Sequence, residues 1–262
     1  MPLTPAIAHS LTRGCRLMPM FLSVCLFCST VLVAQQIPVG TAIPVMIGKG
    51  FEANKSAVDK TLEGQVMQDV RTPSGIEVSS GAKVIGHIVN VNTDSRASGS
   101  SITLRFDAIE DHGRRIPIRV NLIALASMMD VADAETPLNS GSNTDPINLW
   151  VTRQIGGDIV YRGQFKVKSG TGEVGKWLQG GGVRIKLTPN PEKGCPNGPA
   201  YEFEQSVWIF SSDACGTYGY RNLKIAKSGS TAPVGDIVLQ SSKTVKIRGG
   251  SGWLLTIVPA AK

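Results

Sequence analysis

The stretch SGTGEVGKW at residues 169–177 contains the G-x-x-x-x-G-K spacing of a phosphate-binding loop. Such a loop needs Ser or Thr after the lysine to hold magnesium, a buried strand before it and a helix whose first amides face the phosphates. Here Trp177 follows the lysine, and both flanks, residues 161–168 and 178–187, alternate between apolar and polar residues as strands do. We therefore predict a glycine-rich connection between strands and no nucleotide site.

The N-terminal segment carries Arg13 and Arg16, followed by an uncharged apolar run over residues 18–34. This pattern predicts a secretory signal peptide over residues 1–34, with cleavage near Ala34. An uncleaved anchor is the alternative, because the run is barely long enough to span a bilayer. We expect the remaining chain to be periplasmic or extracellular, with only peripheral membrane contact unless the leader is retained.

Two of the five cysteines, Cys195 and Cys215, lie after the leader. Because an exported chain folds in an oxidising compartment, we predict that they form a disulfide. Closing this loop should stabilise the fold by about 3 kcal/mol through the restricted unfolded chain. A reactive Cys215 thiol is the alternative, but it would need a nearby base, and only His87 and His112 remain after the leader.

Acidic residues offer two possible sites. Glu202 and Glu204 share one strand face, whereas a glycosidase needs carboxyl groups on opposite sides of the scissile bond, so a solvated face is favoured. Asp130, Asp133 and Glu135 have oxygen ligands that calcium accepts, but without the glycine and spacing of a calcium loop. We predict no metal, no cofactor, no catalytic residues and no nucleic-acid partner.

Basic residues alternate with apolar residues in three predicted strands, and the whole chain carries a net charge of +7. Their side chains would form cationic strand faces, which either solubilise the surface or, if the strands adjoin, attract anionic envelope glycans or lipid head groups. These candidate binding residues are Arg162, Lys166, Lys168, Arg184, Lys186, Lys246 and Arg248.

Aromatic residues could add a sugar-binding platform, because tryptophan and tyrosine stack on apolar sugar faces. Trp177, beside glycines, and Tyr218 and Tyr220, in a Gly-rich stretch, are the candidates for exposed contacts. Trp208 lies in the apolar run 206–210, which is typical of a buried strand.

The elements that would position these residues are almost all strands, among them 41–47, 83–91 and 101–109, separated by turn-forming residues. The predicted fold class is therefore all-β with two sandwich-like or barrel-like domains. A short helix is possible within residues 124–135. Residues 136–146 are small, polar and proline-containing, which predicts a linker between a domain at 35–135 and a second at 147–262. All tryptophans and tyrosines follow this linker, so we expect an aliphatic core before it and an aromatic core after it.

The first predicted domain contains the motif IPVGTAIPV at 37–45, then GQV at 64–66 with DV at 69–70, and GAKVIG at 81–86. In this order the motifs resemble the β-barrel domain of TrbI-like outer-complex subunits of type IV secretion and conjugation systems. The resemblance covers about residues 37–130 and implies a fold and an envelope location. The chain lacks that family's proline-rich spacer and apolar helical insertion, so no secretion role is carried over.

These observations predict an exported, non-enzymatic protein of the cell envelope that serves as a binding or structural module. Two alternatives stay open: a subunit of an envelope-spanning secretion-type assembly, and a polysaccharide or peptide hydrolase whose catalytic acids the sequence does not identify.

Overall fold

The computed structural model describes residues 36–93, 99–138, 146, 149–193, 195, 203–226 and 233–259. The described chain is all-β apart from one helix and short 3₁₀ turns, as predicted. In chain order the elements are β1 (Ala42–Ile47), β2 (Phe51–Glu52), β3 (Thr61–Val66), β4 (Val70–Arg71), β5 (Glu77–Val78), β6 (Lys83–Thr93), β7 (Ser100–Asp111), β8 (Arg114–Pro117), β9 (Val120–Ala126), α1 (Met128–Glu135), β10 (Val151–Arg153), β11 (Ile159–Tyr161), β12 (Lys166–Ser169), β13 (Gly172–Trp177), β14 (Val183–Lys186), β15 (Glu204–Ser206), β16 (Gly216–Tyr218), β17 (Leu223–Ile225), β18 (Ile237–Ser241), β19 (Lys246–Ile247) and β20 (Gly252–Ile257).

The main sheet runs in the order β16-β9-β20-β1-β3-β6-β7-β18-β17, with β8 paired to β7. Its end strands, β16 and β17, are joined by the short segment 219–222, and the Thr217 hydroxyl donates to the Leu223 carbonyl at 2.9 Å. Because strands at opposite ends of the order meet, the sheet must curl back on itself. It thereby encloses an interior.

The second sheet is a six-stranded antiparallel meander, β10 to β15, in which each strand pairs with the next along the chain. The segment with phosphate-loop spacing forms its β12–β13 hairpin, and Gly170 takes a left-handed φ of 56° at the turn. Strand, turn and strand replace the strand, loop and helix that a phosphate site needs. The segment thus lies in a β hairpin, but the predicted glycine-rich connection is shorter than expected, because residues 172–177 form the strand β13 itself.

Two cores result, and each contains residues from both halves of the chain. The first fills the interior of the main sheet, where Trp253 packs edge-on against Phe106 with ring centres 5.9 Å apart. The second lies between the outer face of β1, β9 and β20 and the meander, and includes Leu254 and Phe210. Neighbours Trp253 and Leu254 enter different cores because successive side chains of a strand point to opposite faces.

The strand pairing does not follow the predicted boundary at 136–146. Strand β20 lies between β1 and β9, and β18 pairs with β7, so strands from both predicted domains share the main sheet. Residues 35–262 form one compact unit. The division into an aliphatic and an aromatic core is likewise wrong, because the fully buried Trp253 belongs to the first core.

The helix α1 falls within the predicted stretch 124–135 and begins at Ser127, whose hydroxyl accepts from the Asp130 backbone amide. Cys195 and Cys215 form the predicted disulfide, with Cα atoms 5.9 Å apart. The predicted signal peptide and most of the predicted linker lie outside the described residues. No described helix has the length and apolar character to span a membrane.

Candidate functional site

A cleft of about 730 Å³ opens where the meander meets the main sheet's loops. One wall comes from the meander, the opposite wall from the segment after β3, and the end of α1 contributes to the rim. The polar residues that line it and matter for its chemistry are Gln68, Asp69, Glu135, Gln154, Arg162 and Arg184, beside the glycines Gly180, Gly181 and Gly182.

Arg162 lies in the 3₁₀ turn Arg162–Gln164 between β11 and β12. Its guanidinium carbon lies 5.8 Å from the ring centre of Trp150 and 5.6 Å from that of Trp177, so two indoles hold it by cation–π contacts. Burial lowers the pKa of Arg162, while the nearby Glu135 carboxylate acts in the opposite direction. The side chain is therefore a partly desolvated cation fixed at the cleft wall.

Polar atoms without partners concentrate in this cleft. Four buried side-chain nitrogens or oxygens lack a hydrogen-bond partner among the described residues, and three of them belong to residues that line the cleft: Gln154 Oε1, Arg162 Nε and Arg184 Nε. Gln154 is only 4% exposed, and its Nε2 donates to the Trp208 carbonyl at 3.1 Å. A buried group left unpaired costs about 1–3 kcal/mol. Two donors and one acceptor are thus left unsatisfied on side chains of the cleft wall.

Gln68 joins the two sheets beneath the cleft. Its Oε1 accepts from the backbone amides of Val183 at 2.9 Å and Trp208 at 2.8 Å, and its Nε2 donates to the Val183 carbonyl at 2.9 Å. Gln68 is 4% exposed, so these bonds are shielded from water. The side chain thereby fixes the start of β14 and the turn that carries Trp208.

Trp208 was predicted to lie in a buried strand, and this prediction is wrong. The strand β15 ends at Ser206, and Trp208 takes a left-handed φ of 51° in the turn that follows, half-buried at the cleft. The apolar run that suggested a strand arises because Val207, Ile209 and Phe210 are buried in the second core around this turn.

The seven candidate cations do not form one continuous surface. Strands β12 and β14 are separated by β13 in the meander, and β19 pairs with β2 in a separate ribbon. Arg162 does not share a strand face with Lys166 and Lys168, because the 3₁₀ turn and the left-handed Phe165 interrupt the alternation. Of the seven, only Arg162 and Arg184 line the cleft, beside Arg71, which pairs with Glu77 at 2.9 Å.

Two of the candidate lysines, Lys166 at the start of β12 and Lys246 at the start of β19, have acidic partners. Lys166 lies 3.2 Å from Glu173, and Lys246 lies 3.6 Å from Glu52. Lys168 Nζ lies 5.4 Å from the ring centre of Tyr161. Lys186 is exposed on β14, and Arg248 lies beside Lys246 in a second groove of about 460 Å³.

None of the three aromatic candidates is a free platform. Trp177 is 8% exposed, with Phe165 stacked on it at 5.6 Å and Arg162 on its ring, so the prediction that it is exposed is wrong. The Tyr218 hydroxyl accepts from the Cys215 amide at 3.1 Å. Tyr220 is partly buried against the first core. All three therefore support the fold.

Tyr220 gives the molecule an alkaline pH dependence. Burial raises the pKa of its hydroxyl above 10.0, although the hydrogen bond with Ser251 acts to lower it. Because the pKa of Tyr220 is raised in the folded state, the free energy that its neutral side chain contributes to folding is fully present below about pH 10. It is lost as the pH rises further, since the unfolded chain ionises first. We expect the stability advantage of the wild type over Tyr220→Phe, measured by urea unfolding, to shrink above about pH 10. An advantage that does not change with pH would contradict this.

The acidic candidates lie apart from one another. Glu204 pairs with Lys176 at 2.9 Å, and Glu202 lies outside the described residues. Asp130 accepts from the Ser127 hydroxyl, and Glu135 lies at the cleft. Asp236 is held by Arg105 at 2.7 Å and 3.0 Å. Within the described ranges, no three His, Cys, Asp or Glu side chains gather as metal ligands.

The sequence reasoning missed Gln68 and Gln154. Each follows the end of a strand, and a neutral amide there carries no chemical signal. The importance of both comes from contacts 115 and 54 residues away along the chain. No known family model matches this chain, and comparison with curated proteins gives no significant match.

Proposed function

We propose that this protein is an exported, non-enzymatic binding module of the cell envelope, and that the cleft holds an anionic ligand. The observation that carries the proposal is the concentration of unpartnered buried atoms in the cleft: Arg162 Nε, Arg184 Nε and Gln154 Oε1. A ligand that accepts from both arginines and donates to the glutamine would satisfy all three.

The two guanidinium groups favour an anion for a physical reason. A charge-assisted hydrogen bond is about twice as strong as a neutral one, and its attraction is screened less in a partly buried site than at the surface. Asp69 and Glu135 also line the cleft, so their carboxylates would repel a ligand of high charge density. The cleft therefore suits a ligand with isolated negative charges and hydroxyl groups.

The envelope location belongs to the same proposal. The disulfide is the state expected of cysteines in an oxidising compartment. The motifs of the TrbI-like resemblance lie on β1, β3 and β6, which are neighbours in the main sheet, and this adjacency supports a shared barrel-type arrangement. The cleft lies between that sheet and the meander. The meander side of the cleft is built from residues after the stretch 37–130 that carries the resemblance.

The proposal predicts that Arg184→Gln weakens binding of anionic ligands at least tenfold, because a charge-assisted bond contributes about 1.5–3 kcal/mol. Titration calorimetry at low salt would use two probes: oligogalacturonate and phosphatidylglycerol vesicles. Lys186→Gln is the matched control, since it removes an exposed charge from the same strand but outside the cleft.

Two results would contradict the proposal. Equal losses for Arg184→Gln and Lys186→Gln would mean that binding depends on overall surface charge and not on the cleft. Hydrolysis of a peptidoglycan or glycan panel by the purified protein, abolished by Glu135→Gln, would show an enzyme.

A further inference from the structure

We propose that the ligand of the cleft is an acidic glycan, whose sugar ring lies on the indole of Trp208 while its carboxylate is bound by Arg162 and Arg184. This inference rests on the proposed function and names its ligand class. Its independent support is the conformation and position of Trp208.

Trp208 is held in a conformation that a bulky side chain rarely adopts. Its φ of 51° places it in the left-handed region, which costs a non-glycine residue about 1–3 kcal/mol. The surrounding structure enforces this: the Trp208 amide donates to Gln68 Oε1 at 2.8 Å, and its carbonyl accepts from Gln154 Nε2 at 3.1 Å. Such strain persists where a side chain must be presented to a ligand.

The strained turn places Trp208 in the lining of the cleft. The edge of the ring lies against β20, where Cζ3 comes within 3.3 Å of the position that a Cβ on Gly252 would take. The residue is only half-buried and lines the cleft. Trp177, the other aromatic residue of the described lining, is covered by Phe165 and Arg162, whereas Trp208 packs partly on the second core and stays half-buried.

A sugar ring fits the remaining chemistry of the cleft. Its apolar face packs on an indole, and its hydroxyls donate to Gln154 Oε1, which lacks a donor. Cβ atoms placed on Gly180 and Gly181 would meet no atom within 4 Å, so this wall leaves room for a ring. A carboxylate on that ring matches the planar guanidinium geometry. A lipid head group or a peptide would satisfy the arginines without needing the indole.

The test compares two ligands that differ only in charge, tri-galacturonate and its carboxyl-reduced form, by titration calorimetry on the whole protein. Trp208→Asn is the key variant, because asparagine tolerates the left-handed conformation but offers no ring. We expect it to weaken binding of tri-galacturonate about tenfold in a protein that still melts cooperatively, because relief of the left-handed strain offsets part of the lost packing of the indole on β20. Phe203→Asn, which removes an exposed aromatic side chain outside the cleft lining, should leave binding unchanged.

The role of the ligand's carboxylate is tested by measuring both trimers on the wild type and on Arg184→Gln. The wild type should bind tri-galacturonate at least tenfold more tightly than the reduced trimer, and Arg184→Gln should remove most of that difference. Full binding by a folded Trp208→Asn protein would overturn the inference, as would equal affinity for both trimers. Binding of phosphatidylglycerol vesicles that depends on Arg184, without binding of either trimer, would overturn the inference and leave the proposed function standing. If no anionic probe binds, both fail.

Discussion

A chain that ends at Glu135 is expected not to fold, and neither is a chain that contains only residues 147–262. In the first fragment β1 and β9 lose the strand β20 that pairs with both of them, and the interior loses Trp253 and Leu239. In the second fragment β20 loses both of its partners, β1 and β9, and β18 keeps only β17. Circular dichroism and thermal melting should show no cooperative transition for either fragment.

A matched control distinguishes the effect of cutting the backbone between the two fragments from the effect of removing the partner strands. A protease site inserted at residue 142 would allow the folded protein to be cut between the two fragments. Because the pairing of β20 with β1 and β9 does not depend on that connection, the cut protein should stay associated and melt cooperatively. Independent cooperative melting of residues 36–135 would show instead that the first half is an autonomous domain, as its sequence predicts.

Local structure was well predicted from this sequence because alternation is a local signal. The predicted strands at 41–47, 83–91 and 101–109 correspond to β1, β6 and β7 within two residues at each end. The helix within 124–135 and the disulfide are also present. In each case the deciding property, period-two burial or cysteine count, can be read without knowing which elements are neighbours.

The order of strands could not be predicted, because it depends on partners far apart along the chain. Nothing in residues 252–257 specifies insertion between β1 and β9, whose sequences lie more than a hundred residues earlier. The clustering of tryptophans after the linker suggested a separate aromatic core. Trp253 shows why this failed: alternation specifies that a residue is buried, but not which sheet encloses it.

The site was predicted only in part for a related reason. Arg162 and Arg184 were singled out as cations on strand faces, yet their place in the cleft comes from a 3₁₀ turn and from hydrogen bonds between the sheets. The left-handed Trp208 breaks the period-two pattern in the cleft lining, and the left-handed Phe165 breaks it beside the cleft, where it stacks on Trp177. Departures from local rules of this kind are expected at functional sites.

Gln68→Met should have the second largest effect, a loss of about 3–5 kcal/mol in the free energy of unfolding. Methionine has nearly the same length and shape, so the change removes three hydrogen bonds without opening a cavity. The amides of Val183 and Trp208 would then be buried without partners, at about 1–3 kcal/mol each, whereas the Val183 carbonyl would keep its bond from the Val207 amide at 3.1 Å. Urea unfolding followed by fluorescence would measure the loss.

Gln65→Met is the matched control, since Gln65 lies on the same segment with its side chain exposed on β3. It should change stability by no more than about 0.5 kcal/mol, as expected for a surface substitution. Gln68 also holds the strained turn of Trp208, so the Gln68→Met protein should bind anionic ligands more weakly under conditions where it is still folded. A loss of stability with unchanged ligand affinity would mean that the turn keeps its shape without Gln68, and that the second amide clamp, from Gln154, is sufficient to present Trp208 to the cleft.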